Sequence, residues 1–207
     1  MDAKEIAKQL RKPSGENGKF VGTELSKLNR FLTEVVYEEF NKLDGDAILE
    51  IGFGNGALLK QLLTNDQKKV YGIDYSELMV EEATKSNKEL IEKGVVEIKF
   101  GAIENIPYSD NFFDKICTIN TVYFWETPET ALTEIKRVLK KDGYFAIGFR
   151  SKDKLTQHEF VKYNFQLYDS DQLEEVVKKN GFEVYSVTKM DDQEHDAVCL
   201  IAKNISK

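Results

Sequence analysis

The sequence predicts an α/β fold: a doubly wound, mostly parallel sheet of seven strands that finishes in a C-terminal antiparallel hairpin. Three observations predict it. Ala47–Ile51 is a short apolar run interrupted only by Glu50, and Gly52, Gly54 and Gly56 follow at alternate positions before a helical pattern over residues 57–63. Short strand-like runs then alternate with helical patterns down the chain, the signature of βα repeats and a parallel sheet. The last two strand-like runs, residues 182–189 and 197–202, are joined only by the polar linker 190–196, so they pair as a hairpin at one end of the sheet.

With 207 residues, 41% hydrophobic and 31% charged, the chain is long enough to bury a core and too apolar to be disordered. It reads as an N-terminal helical lid or cap over residues 1–44 on a core over residues 45–207. The net charge of −7 argues against nucleic acid as the main partner, because phosphate binding needs a basic face. Cys117 and Cys199 each lie inside an apolar run, with no C-x-x-C, and are expected as buried, reduced core residues of a cytoplasmic protein. No run is long and apolar enough for a membrane span, and the first residues do not lead into a signal-peptide pattern. Oligomeric state cannot be read from the sequence.

Residues 1–22 combine a short amphipathic helix carrying Ile6 and Leu10 with a segment around Phe20 that Gly18 and Gly22 bracket. Over residues 1–30 seven lysines and arginines stand against four acids, a basic patch in an acidic protein. Two readings stay open: a lid that carries Phe20 and Arg11 or Lys12 over a substrate, or a frayed terminus. Leu25, Leu28, Phe31, Leu32, Val35, Val36 and Phe40 then recur at helical spacing and predict one long helix with a core face. Asp44-Gly45-Asp46 turns the chain into the glycine strand.

Strand, glycine turn and helix start together make a ligand site. Glycines let the backbone turn sharply and approach a ligand with no Cβ in the way. The helix start adds unpaired N–H groups and a partial positive charge. A second strand over residues 69–73 ends at Asp74, about 20 residues past the glycine turn, where a carboxylate can accept hydrogen bonds from a ribose. The unit is therefore a nucleoside-binding βαβ. Ala57 follows Gly56, so the spacing is G-x-G-x-G rather than the dinucleotide G-x-G-x-x-G, and there is no phosphate loop. A nucleoside without a diphosphate fits that spacing.

Ser76 is placed to cap the next helix, which runs toward Lys93 and stops at Gly94, with Leu78, Val80 and Leu90 as its core residues. Residues 95–100 and 113–119 are the third and fourth strands. Residues 120–126 follow the fourth strand, where doubly wound folds place their ligands. This segment is aromatic, so Tyr123 and Trp125 are candidates for a substrate pocket, with a hydrophobic plug as the alternative. Thr127-Pro128 starts a helix that stops at Asp142-Gly143, and residues 144–149 form the fifth strand. Residues 150–168, with His158, Tyr163 and Phe165, are placed to cover the substrate side; His158 is either a general base or a solvated loop histidine. Ser170-Asp171 starts a further helix, ended by Asn180-Gly181. His195 in the final linker reads as exposed. Two histidines far apart, without a Cys or acid cluster at ligand spacing, argue against a metal site.

Residues 49–56, Leu-Glu-Ile-Gly-Phe-Gly-Asn-Gly, resemble the first motif of the class I, Rossmann-like methyltransferases that depend on S-adenosylmethionine (SAM). Residues 71–76, Tyr-Gly-Ile-Asp-Tyr-Ser, resemble their second, and residues 134–143 resemble a structural hallmark of the family. The likeness covers about residues 45–150 well and is that of the type-11-like small-molecule enzymes. It implies a methyltransferase that passes the methyl of SAM to an unidentified small-molecule acceptor and releases S-adenosylhomocysteine. It implies Glu50 and Asp74 at the two polar ends of SAM, with Gly52, Phe53, Gly54 and Gly56 in close approach. Tyr75 and Met79 would lie near ribose and adenine, although Met79 could equally pack in the core, and Asn120 would lie near the amino-acid end. Where the family commonly has an Asp for the adenine amino group this chain has Ala102, which leaves backbone groups of Ala102 and Ile103, or Glu104. No catalytic residue is singled out, since displacement at a sulfonium methyl runs mainly on positioning and exclusion of water. The runner-up is a nicotinamide-dependent oxidoreductase, opposed by the glycine spacing. A non-catalytic SAM-binding or interaction protein is the third reading.

Overall fold

The computed structural model describes residues 1–63, 68–191 and 196–205, apart from the side chains of residues 25 and 26. Leu25 as a core residue and His195 therefore lie outside what is described. Seven strands, β1 (Ala47–Ile51), β2 (Lys69–Asp74), β3 (Val96–Phe100), β4 (Phe113–Ile119), β5 (Leu139–Phe149), β6 (Phe182–Asp191) and β7 (Asp196–Asn204), form one sheet. Their order is β3-β2-β1-β4-β5-β7-β6. The first five pair in parallel. β7 runs antiparallel between β5 and β6, so the expected hairpin closes one end of the sheet with its second strand innermost.

The chain walks outward from β1 to β3 and then returns to the other side of β1 to lay down β4. The crevice beyond the carboxyl ends of β1 and β4 is thus the topological switch point, where open α/β sheets bind ligands. Both faces of the sheet are covered. On one, Leu49, Ile51, Ile73, Ile116 and Phe145 pack with α7 (Pro128–Val138) and α8 (Ser170–Lys179). On the other, Ile48, Val70, Cys117, Ala146 and Cys199 pack with α3 (Arg30–Asn41), α4 (Ala57–Leu62) and α5 (Glu77–Ser86). Strands buried on both faces read as near-continuous apolar runs, as these do. Both cysteines are buried free thiols; burial pushes Cys199 up to about 12 and Cys117 up as well. No helix among the described residues is long and apolar enough to cross a membrane.

Three predicted boundaries are corrected. The single helix from Leu25 to Phe40 is two: α2 (Gly15–Leu28), which follows α1 (Ala3–Arg11), and α3, separated at Asn29. The break is held from outside the helix, because the Arg150 guanidinium takes the Leu28 carbonyl at 2.7 Å. The helix toward Lys93 also breaks, at Asn87, into α5 and α6 (Lys88–Glu92). The buried Asn87 amide donates to the carbonyls of Ala83 and Gly56, at 3.0 and 3.2 Å, and so competes with the helix ladder. Leu78, Val80 and Leu90 are only half-buried; Met79 and Ala83 are the core positions of α5. Finally, α7 ends at Val138 rather than at Asp142, and Leu139 already pairs with Phe113 as the first residue of β5. Thr127 does precede α7, without a side-chain capping bond, and Ser76 caps α5 as expected, its hydroxyl accepting from Met79 N.

Candidate functional site

β1 is apolar except for Glu50, and β2 ends on Asp74; both carboxylates are buried, 4% and 6% exposed. The turn between β1 and α4 wraps Asp74. Its Oδ2 accepts the Gly54 amide at 3.0 Å and its Oδ1 the Ser76 amide at 2.9 Å. Burial raises Asp74 to about 6 against those two bonds, which pull it down. Glu50 has no such compensation: its Oε2 has no hydrogen-bond partner among the described residues, and burial, with the Asp74 charge second, raises it to about 8.

The three glycines of the turn do three different jobs, each with a positive φ. A Cβ on Gly52 would meet the Thr121 methyl at 2.5 Å, so this glycine lets the loop after β4 close on β1. A Cβ on Gly54 would meet nothing within 4 Å; it stands free at the wall of a cavity. A Cβ on Gly56 would strike Ala83 Cβ at 2.7 Å and Asn87 Nδ2 at 2.8 Å. Gly56 is therefore a packing glycine against α5, not part of the cavity wall, which corrects its expected role in close approach to a ligand. Phe53 is mostly core, wedged where Gly72 has no side chain, with one edge in the wall. Gly54→Ala is expected to cost about 1 kcal/mol of stability from its backbone while narrowing the cavity. Gly56→Ala should cost roughly 2–4 kcal/mol by overpacking and leave the wall unchanged. Thermal unfolding beside cofactor titration separates the two.

The cavity has a volume of about 740 Å³. Its floor is the row of strand ends. Beyond β3 lie Gly101 to Glu104; the Ala102 carbonyl already accepts the Asn105 amide at 3.1 Å, so the Ala102 amide, Ile103 and the Glu104 carboxylate remain at that end. Tyr75 and the buried Met79 stand beside Asp74. Beyond β4 lie Asn120, Phe124, Trp125 and Glu126. The buried Trp125 indole donates to the Thr121 hydroxyl at 3.2 Å.

Of the residues of the lid reading, Arg11 lines the opening of the cavity, while Lys12 and Phe20 do not. Leu10 and Arg11, the last residues of α1, and Pro13, between α1 and α2, cross the opening. The Tyr75 hydroxyl donates to the Arg11 carbonyl, Ser76 Oγ to the Pro13 carbonyl at 2.6 Å, and the Arg11 guanidinium reaches Glu126 at 2.9 Å. Asn29, Arg30, Thr33 and Glu34, at the break between α2 and α3, complete the rim. Sequence reasoning missed these four because it ran one helix through the position where α2 and α3 separate.

Two pocket candidates are misplaced. Phe20 is 62% exposed and outside the cavity. Its flanking glycines are not hinges: they lie four residues apart on one face of α2, where Gly18 meets Pro13 and Leu78 and Gly22 meets Met79, so Phe20 points the other way. Tyr123 is 3% exposed and also outside the wall. The 3-10 turn Val122–Phe124 rotates it inward, where it stacks on Phe165 at 6.0 Å. His158 lies outside the cavity, stacked on Phe160.

The family model of the methyltransferase domain matches residues 49–147. The chain is 30% identical to the uncharacterized methyltransferase YdaC of Bacillus subtilis over 84% of this chain and 92% of that one. It is 25% identical to the O-methyltransferase resE of Aspergillus sclerotiorum over 87% of this chain and 69% of that one. Among solved structures, a SAM-dependent methyltransferase from Aquifex aeolicus superposes with a TM-score of 0.73 at 27% identity, over 99% of each chain. The chain's likeness to YdaC runs through nearly the whole of both proteins, and its fold superposes on that of the Aquifex enzyme: the chain belongs to the class I, SAM-dependent methyltransferases.

Proposed function

We propose that the cavity binds SAM across the strand ends and delivers its methyl group to a small-molecule acceptor entering between the α2–α3 break and residues 120–126. One observation carries this reading: the order of chemical groups along the sheet. In the row β3-β2-β1-β4 the strand ends present Ala102 to Glu104, then Asp74, then Glu50 with the glycine turn, then Asn120. Neighbouring strands lie about 4.8 Å apart, so the row spans roughly 14 Å, the reach of an extended nucleoside with an amino-acid tail. With ribose hydroxyls on Asp74, the base falls on the β3 side and the amino-acid end on the β1 and β4 side.

The residues present fit that ligand. Glu50 is a buried carboxylate with an unmet oxygen at the wall, suited to an ammonium group. Gly54 leaves open space for close approach. Met79 and Tyr75 supply an apolar edge beside the ribose, and Ile103 and Glu104 are placed to receive the base. When bound, SAM supplies an electrophilic methyl on a sulfonium centre. Phe124 and Trp125 then offer aromatic surface to a cationic centre, and the roof of Arg11 and Pro13 excludes water. Residues 1–44 act in this proposal as a cap whose last helix, α3, packs on one face of the sheet. Two free thiols suit a reducing compartment, and the cytoplasm is the compartment proposed.

Calorimetric titration with S-adenosylhomocysteine, with NAD as control, tests the reading. S-adenosylhomocysteine should bind and NAD should not; NAD binding alone would overturn it.

A further inference from the structure

We infer that Tyr123 is a positioning residue for the amino-acid end of the cofactor site, acting through Asn120. The inference rests on the proposal that SAM lies across the strand ends.

Asn120 is the first residue past β4. Its φ is 56°, in the left-handed region that a residue with a side chain seldom adopts without cause. The backbone is held there, since its amide donates to the Gly148 carbonyl at 2.8 Å. The side chain is held as well. The Tyr123 oxygen accepts the Arg150 amide at 2.6 Å. Its own hydrogen has two acceptors in reach, Asn120 Oδ1 at 3.0 Å and the Arg150 carbonyl at 3.3 Å, of which the Asn120 oxygen is nearer. Burial pushes the phenol up, so it remains a donor at neutral pH.

With its oxygen engaged on Tyr123, the Asn120 amide is left with both N–H donors and no acceptor among the described residues, at the wall of the cavity that Gly52 and Glu50 also line. A fixed pair of donors on the same cavity wall as an unmet carboxylate is the complement of an α-amino acid: ammonium on Glu50, carboxylate on Asn120. Tyr123 itself touches neither. Its ring packs against Phe165 and Phe124, and among the described residues its hydroxyl addresses only Asn120 and Arg150. Without that hydroxyl the amide is free to rotate and present its oxygen to the carboxylate, which repels it.

Two probes separate positioning from packing: S-adenosylhomocysteine, and 5′-methylthioadenosine, a nucleoside thioether without the amino-acid end. For Tyr123→Phe, which keeps the aromatic stack, S-adenosylhomocysteine affinity should fall about 10-fold and methylthioadenosine affinity should not change. Asn120→Ala should show the same selectivity, and the double variant should bind no worse than Asn120→Ala alone. Asn120→Asp, which keeps an oxygen for Tyr123 and removes the donors, should also lose S-adenosylhomocysteine selectively, and it serves if Tyr123→Phe does not fold. Equal loss of both probes in Tyr123→Phe, unchanged S-adenosylhomocysteine binding in it or in Asn120→Asp, or multiplying effects in the double variant would each overturn the inference. Wild-type protein that binds neither probe would overturn the cofactor reading itself.

Discussion

Asp74→Ala is expected to weaken S-adenosylhomocysteine binding about 100-fold at pH 7, from two charge-assisted bonds to ribose hydroxyls worth roughly 1.5–3 kcal/mol each, less the water that replaces the carboxylate. The loss should not come from unfolding. Asp74 accepts the Gly54 and Ser76 amides, so its removal leaves two donors without their partner, but it also removes a buried charge that burial raises to about 6. These effects oppose each other, and the thermal midpoint should move by only a few degrees. Asp74→Asn, which keeps one oxygen for the turn, should fall between. Wild-type affinity should already decline as pH drops below about 8, where Glu50 takes up a proton, and more steeply below about 6, where Asp74 takes one up as well. Calorimetry across pH 5–8 with the three proteins checks this, and an Asp74→Ala affinity within threefold of wild type would remove Asp74 from the site.

Glu50→Gln should have opposite effects on stability and on binding. In the ligand-free fold Glu50 is raised from 4.5 to about 8, first by burial and then by the Asp74 charge. Between those two values the folded state holds a proton that the unfolded chain releases. Stability therefore falls as pH rises through the window, and the full penalty is present above about 8. Removing the charge should stabilise the ligand-free protein by roughly 2–4 kcal/mol at pH 8.5 and by little at pH 4.5. Binding should go the other way. A cofactor ammonium beside Glu50 favours its ionised form, so wild type should release close to one proton on binding at pH 7. Glu50→Gln should release none and bind about 100-fold more weakly. Titrations in buffers of different ionisation enthalpy count the proton. A wild type that releases none, or a Glu50→Gln protein less stable than wild type at pH 8.5, would contradict this account of the site.

A carboxylate that costs stability until a ligand meets it was legible only in part. Its identity, and its place one residue before the glycine turn, follow from the string Leu-Glu-Ile-Gly and its family likeness. That its Oε2 is left without a partner follows from the packing of β1 between β2 and β4, whose residues opposite Glu50, Gly72 and Cys117, come 22 and 67 positions later along the chain. The same division runs through the molecule. Strand runs, the Ser76 cap, the glycine turn and the antiparallel hairpin depend on neighbours in sequence, and each was readable. Which of three glycines faces the cavity and which faces α5, and why Tyr123 turns inward while Trp125 reaches the wall, depend on residues far along the chain. Lys115, read only as part of a strand, is a buried ammonium on the carbonyls of Phe40 and Leu43, at 3.2 and 2.7 Å.

By itself, then, the sequence determined the α/β fold, the order of its strands along the chain and the nucleoside-type turn, because periodicity and backbone conformation are set within a few residues. Only the tertiary structure decided the roof of Arg11 and Pro13, the break at Asn29 and the contact between Tyr123 and Asn120. The physical reason is that a hydrogen bond or a steric contact constrains a side chain only once both partners have been brought within about 3–4 Å, and the partners that shape this cavity come from opposite ends of the chain.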